Sequence, residues 1–182
     1  GFTVDDIVLE TAELPLLHED VRAVFPALHG RFGEDGTVQR LLEGRGLPYV
    51  GCDPAVSELL LDKVRTRELL EQNGLPVAAG LVVTQPDVPL PDSIDLPLIV
   101  KPNREGSTIG MAKVNGPDDW QPALKEALRH DSVILVEKFV IGCEVTIGIL
   151  FDEPMPVIEI VPPGDFYDYD AKYVYEHGKT EY

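Results

Sequence analysis

The apolar residues of this chain come in short runs that stop abruptly, which restricts the fold more than any other feature. Leu96-Pro97-Leu98-Ile99-Val100 ends at Lys101, and Val133-Ile134-Leu135-Val136 ends at Glu137. Short apolar runs closed by charged or turn residues suit buried strands. A helix crossing a bilayer needs roughly 20 such residues, so neither run spans a membrane.

The segments between these runs separate by period. Thr3–Leu9 carries a weak strand signal, and Val24–Leu28 is a short apolar run closed by His29-Gly30. Thr37–Glu43 has helical spacing, with Thr37 as a start, and Pro48–Gly51 reads as the next strand. Residues 1–52 therefore look like part of an α/β unit with parallel strands. From Asp53-Pro54 the pattern turns helical, over Ser57–Leu61 and Lys63–Asn73, with Asn73-Gly74 as the stop. Strands are expected at Val77–Val83 and Leu98–Lys101, separated by a connection in which Pro86, Pro89, Pro91 and Pro97 exclude a regular helix. Further strands are expected at Met111–Val114, Val133–Phe139, Glu144–Phe151 and Val157–Val161, with one helix over Asp118–His130. That second part, from residue 53 onward, reads as α+β.

Composition narrows the function. The 182 residues are 44% hydrophobic and 26% charged, the mixture of a globular protein. A net charge of −17 opposes nucleic-acid binding, which needs a basic face. It leaves room for a small phosphate ligand held by a few lysines and backbone N–H groups. Cys52 and Cys143 have neither disulfide-framework nor zinc-ligand spacing and read as free thiols. No basic segment followed by an apolar one opens the chain, and the expected compartment is the cytoplasm.

Chemistry concentrates in a few segments. In Ile99–Gly110 a strand ends in Lys101, and the loop Asn103–Gly110 follows with Ser107, Thr108 and two glycines. Such a loop can fold its N–H groups over phosphates, although it is neither a Walker A loop nor a dinucleotide fingerprint. Spacing by itself leaves a phosphate loop and an ordinary hairpin both open. Val133–Val140 sets Glu137 and Lys138 at a strand end, followed by Gly142 and Glu144. These carboxylates could accept from an amine or from ribose hydroxyls, or form a solvated terminus. Lys63 by itself is a surface lysine. His29 is open between a structural and a catalytic role, and Asp165–Tyr173 between a recognition loop and a cap over an apolar patch.

The order and spacing of these segments resemble the D-alanine-D-alanine ligases, a family of the ATP-grasp type. The landmarks are Val24–Gly30 with Gly33–Gly36; Pro48–Gly51; Leu61-Asp62-Lys63; Val100-Lys101-Pro102 with Gly106–Gly110; Val136-Glu137 with Gly142 and Glu144; and Asp165-Phe166-Tyr167 with Tyr169–Tyr173. The resemblance implies an α/β remnant of an N-terminal, pre-ATP-grasp domain over residues 1–52, followed by an incomplete ATP-grasp domain that grips ATP between a central subdomain, residues 53–137, and a C-terminal subdomain whose start is residues 138–182. Lys63 and Lys101 would contact the phosphates and Ser107 would lie in the loop closing over them. Glu137, Lys138 and the backbone near Val140 would take the adenine, and Glu144 the ribose. Lys172 would reach the γ-phosphate, and Tyr173 would hydrogen-bond to Ser107, making Ser107, Lys172 and Tyr173 the catalytic set. His29 would sit beside the first D-alanine, with Ser107, Tyr167 and Tyr173 completing the substrate side. Tyr173 also matches the dipeptide-forming type rather than the relatives that make D-alanine-D-lactate.

The same resemblance implies D-alanine and ATP as partners and a homodimer at full length. It places magnesium ligands beyond Tyr182 and none within the chain, so the 182 residues alone are expected to be inactive. Cys143 stands where the family usually has arginine, and Thr108 replaces a second serine. The rivals are another ATP-grasp ligase joining a carboxylate to an amine, and a non-catalytic nucleotide-binding module.

Overall fold

A computed structural model describes residues 3–162 together with 180 and 181. The chain divides into two compact units, and the division falls between Thr66 and Arg67.

In the first unit, residues 3–9 form no strand. Val4 and Val8 stay largely exposed, so these apolar side chains find no partner face to bury them. The two strands expected at Val24–Leu28 and Pro48–Gly51 reduce to one parallel bridge, Val24 with Tyr49. It is made by Val24 N–H donating to Pro48 O at 2.9 Å and Val50 N–H donating to Val24 O at 3.0 Å. Pro26 and Pro48 have no N–H to lengthen the ladder.

A single irregular turn, α1 (Gly30–Gly33), leads to α2 (Thr37–Gly44). The corner between them is built by Asp35, whose carboxylate accepts from Phe32 N–H at 3.0 Å and from Thr37 N–H at 2.9 Å. Gly36 caps α2 with φ +84°, and a Cβ there would lie 2.3 Å from Pro54 O. No other residue fits that position. α2 turns Val38 and Leu42 into the small core of this unit.

Helix α3 (Pro54–Leu61) starts as the sequence dictates, with Asp53 accepting from Val56 N–H at 2.8 Å and Pro54 in the first turn. Asp62 ends α3 and accepts from Arg65 N–H at 3.0 Å, so the same buried residue starts α4 (Lys63–Gln72). Gly74, with φ +72°, follows the end of α4.

The second unit is organised by a four-stranded antiparallel sheet of β1 (Gly80–Val83), β2 (Leu98–Pro102), β3 (Ala112–Val114) and β4 (Ile134–Lys138), in the order β1-β4-β2-β3. Helix α5 (Pro117–Ala127) covers one face. Its start is fixed by Asp119, which accepts from the N–H groups of Asn115 and Gly116. Leu98, Val100, Val114, Ile134 and Val136 point from the sheet into a core shared with Trp120, Leu124 and Ala127. Each fully buried Leu, Ile or Val contributes roughly 1.5–3 kcal/mol. The proline-rich connection forms no helix and is tied to this core by Trp120 Nε1, which donates to Val88 O at 2.7 Å.

Two small antiparallel pairs follow, β5 (Glu144–Thr146) with β8 (Ile158–Ile160) and β6 (Ile149–Leu150) with β7 (Glu153–Pro154). The single strand expected over Glu144–Phe151 is thus divided near Gly148. Phe151 and Asp152, both at positive φ, make the two-residue turn between β6 and β7.

Candidate functional site

The side chains of a strand alternate between faces, so the sheet face turned away from α5 carries the odd-numbered residues of β2, β3 and β4. Register places Glu137 opposite both Ile99 and Gly80, Lys101 opposite Leu135, and Lys113 opposite Ile99. Lys101 and Glu137 are diagonal neighbours on this face, and Lys101 Nζ forms an ion pair with Glu137 Oε2. The other oxygen, Oε1, accepts from Arg67 Nη1 at 2.9 Å. Arg67 also donates to Ala78 O and pairs with Glu71 at 2.8 Å.

This cluster is partly withdrawn from water, with side-chain exposures of 15% for Arg67, 14% for Glu137 and 23% for Lys101. Gly80 makes room for it. A Cβ at Gly80 would lie 2.8 Å from Arg67 Nη1 and 3.0 Å from Glu137 Cγ. Two of the residues expected at an ATP site are therefore side by side, held by a third that sequence reasoning passed over. The signal for Arg67 was its place four residues after Lys63 on one helix, but two lysine-type charges at that spacing are common on solvated faces.

Lys138 lies on the opposite face, and its Nζ donates to the carbonyls of Asp95 and Leu96 at 3.0 and 3.1 Å. Its side chain braces the proline-rich connection, and its backbone N–H donates to Ala79 O at 2.8 Å. Val140 follows it, largely exposed, and Glu144 is exposed on β5. Lys63 opens α4, and the exposed His29 precedes α1; both belong to the first unit. Lys172, Tyr173 and Tyr167 lie outside the described residues.

The loop after β2 is shaped by backbone conformation. Ser107, Thr108 and Gly110 all have positive φ, 50°, 58° and 67°. Non-glycine residues rarely adopt this region, and successive residues there turn their N–H groups toward one concave side. Ile109 N–H donates to Gly106 O and Met111 N–H to Thr108 O, so the loop is wound tightly upon itself. Beside it on the same sheet face, Lys113 Nζ lies 4.0 Å from the centre of the Phe139 ring.

Cys143 and Cys52 are both exposed free thiols. A hydrogen bond to Glu159, with the negative charge of that carboxylate, pushes the Cys143 thiol above its ordinary range. The acid that meets the thiol here is one an arginine at this position could pair with.

A cleft of about 420 Å³ between β1 and the proline-rich connection is lined by Leu81, Val83, Val88, Leu90 and Trp120 and by none of the residues expected at the site. Among the described residues no group of three His, Cys, Asp or Glu side chains could hold a metal ion. Nor is any helix among them long and apolar enough to cross a membrane.

A mixed fold with an antiparallel sheet, a covering helix and a wound loop after a lysine-bearing strand is that of an ATP-grasp subdomain, and similarity to known proteins agrees. The family model described as D-ala D-ala ligase C-terminus matches residues 69–182, and that described as D-ala D-ala ligase N-terminus matches residues 6–52. The chain belongs to the D-alanine-D-alanine ligase family. A relative from Syntrophotalea carbinolica named D-alanine--D-alanine ligase is 47% identical over 162 residues, covering 89% of this chain and 52% of that protein. The crystal structure of the ligase from Bacillus anthracis superposes with a TM-score of 0.74 at 34% identity, over 90% of this chain and 54% of the other. The structure of that enzyme complexed with ATP gives 0.70 at 31%, over 82% and 51%. The chain spans about half the length of the curated relatives it matches.

Proposed function

We propose that this protein is a cytoplasmic, ATP-dependent ligase that joins two D-alanines into D-alanyl-D-alanine for peptidoglycan precursors, working as a homodimer. The observation that carries the reading is the family match over both units, joined to the pairing of Lys101 and Glu137 on the sheet face free of α5. The relative solved with ATP supports the nucleotide.

In this reading the carboxylate of one D-alanine attacks the γ-phosphorus of ATP, the bond to the β-phosphate oxygen breaks, and D-alanyl phosphate and ADP result. The amine of the second D-alanine then attacks the acyl carbon, phosphate leaves, and the amine loses a proton. The protein's contribution is charge neutralisation and positioning. Lys63, Lys101 and Lys172 neutralise phosphate oxygens, and Ser107 with its neighbours covers them against water. Glu137, the backbone of Lys138 and Val140, and Glu144 hold the nucleoside. His29, Ser107, Tyr167 and Tyr173 form the substrate side.

The test is phosphate release by the complete protein with ATP, magnesium and D-alanine. The expected result is ADP, phosphate and dipeptide in equal amounts. Turnover with another amino acid and none with D-alanine would point to a different ligase and defeat the proposal.

A further inference from the structure

The ladder between β2 and β4 ends at the pair Pro102 with Ile134, and its continuation is made by a side chain. Asn103 N–H donates to Val133 O at 2.9 Å. At the next position Arg104 N–H donates to Asp131 Oδ2 at 2.9 Å, while Asp131 Oδ1 accepts from Val133 N–H at 3.1 Å. One carboxylate thus stands in for a rung of the ladder and ties the entrance of the loop to the start of β4. The exit is fixed by the neighbouring residue. A Cβ at Gly110 would lie 2.5 Å from His130 Cδ2 and 2.9 Å from Pro102 Cγ, so the loop returns in close contact with the imidazole. That ring is held in turn by Glu126, whose Oε1 lies 3.2 Å from His130 Nε2.

We infer that Asp131 and His130, just beyond the C-terminal end of α5, are positioning residues that anchor both ends of the loop over the phosphates. The inference rests on the nucleotide reading proposed above. Asp131 touches no reacting group in it. Its carboxylate sets where the Ser107 hydroxyl and the loop N–H groups stand relative to Lys101.

Hydrogen exchange of amides 103–111, with and without ATP, tests this in the complete protein alongside steady-state kinetics. In Asp131→Ala the amides of Arg104 and Val133 should exchange about tenfold faster or more, the loss expected for a hydrogen bond to a charged group. KM for ATP should rise by a similar factor, about tenfold, with kcat less affected and with exchange at the core amides of Leu98 and Val136 unchanged. Asp131→Asn keeps one acceptor oxygen and should fall between wild type and alanine in both readouts. A loop protected by ATP equally in wild type and both variants overturns the inference and leaves the nucleotide reading standing. Faster exchange at Leu98 and Val136 in step with the loop also overturns it, since Asp131 would then serve the fold as a whole. A wild-type protein that neither binds ATP nor protects this loop refutes both.

Discussion

Replacing Arg67 by alanine removes one of the two cations on a carboxylate that is 14% exposed. Stripping a buried pair of one partner costs about 3–5 kcal/mol when the other charge is left alone. Here Lys101 still sits on the second oxygen of Glu137, so about half of that, ~2 kcal/mol, is the expected share. The hydrogen bond to Ala78 O adds ~1 kcal/mol. The pair with Glu71, whose side chain is half exposed, adds little. The sum is ~3 kcal/mol, which in a domain of about 100 residues lowers the melting midpoint by ~10 °C or more. Trp120 is the single tryptophan of the chain and is buried beneath this sheet, so its fluorescence reports the melting of the second unit. The double variant Arg67→Ala, Glu137→Gln isolates the cause. If the cost comes from an undercompensated carboxylate, neutralising Glu137 should recover ~1 kcal/mol or more of the loss. A midpoint that falls by under ~2 °C in Arg67→Ala, or a double variant that only adds the two single losses, would refute the electrostatic reasoning.

Burial pushes the Asp35 carboxyl upward, but the hydrogen bonds it accepts from Thr37 and from the N–H of Phe32 outweigh this and hold it below the usual 3.8. A lowered folded value stabilises above the unfolded one and is lost as pH falls through the folded one. Asp35→Asn should therefore lower the urea midpoint of the first unit at neutral pH and differ less from wild type as pH falls through the lowered folded value, and an equal difference at neutral pH and in strong acid would contradict this assignment. Gly36→Ala combines a left-handed backbone with a clash against Pro54 O. It should destabilise the first unit by ~2 kcal/mol or more in urea titration, and a loss under ~0.5 kcal/mol would show that the α2–α3 corner can shift. Glu159 keeps the Cys143 thiol protonated, so iodoacetamide should modify Cys143 more slowly than Cys52 near pH 8. Mass spectrometry of the two peptides decides, with equal rates counting against the Glu159 hydrogen bond.

What could be read in the sequence depended on whether the determining contacts were local. Helix α3 was legible because Asp53, Pro54 and the apolar spacing after them specify a start within one turn. Strands β2 and β4 were legible because Leu98–Val100 and Ile134–Val136 are buried in an unbroken run, as central strands are. Thr3–Leu9 misled because a weak strand signal forms a strand only where a neighbouring edge accepts it. In the site, Lys101 and Glu137 stand out as charges ending apolar runs. Arg67, Gly80 and Asp131 were invisible because each acts across the fold. Arg67 reaches a carboxylate 70 residues away, and Asp131 an amide 27 away. Lys138 shows the converse, since adjacency to Glu137 in sequence sends it to the opposite face of the sheet.

The charges around Glu137 bear on how a lysine can serve both the protein and a nucleotide. As the side chains stand, Lys101 and Arg67 face Glu137, and Glu71 answers the remaining positive charge, so the cluster is balanced. On the proposed reading Lys101 turns to phosphate oxygens, and a carboxylate held by lysine alone would then be left charged in a site that excludes water. That cost would be set against nucleotide binding. Arg67 removes it. By donating through its planar guanidinium to Ala78 O as well as to Glu137 it is tied to the connection entering β1. Glu137 therefore stays compensated and oriented whether or not Lys101 leaves. Arg67→Lys would put a flexible point charge in place of the fork. It should preserve the fold better than Arg67→Ala while still weakening ATP binding, so the two variants separate the stabilising role of this residue from its part in releasing Lys101.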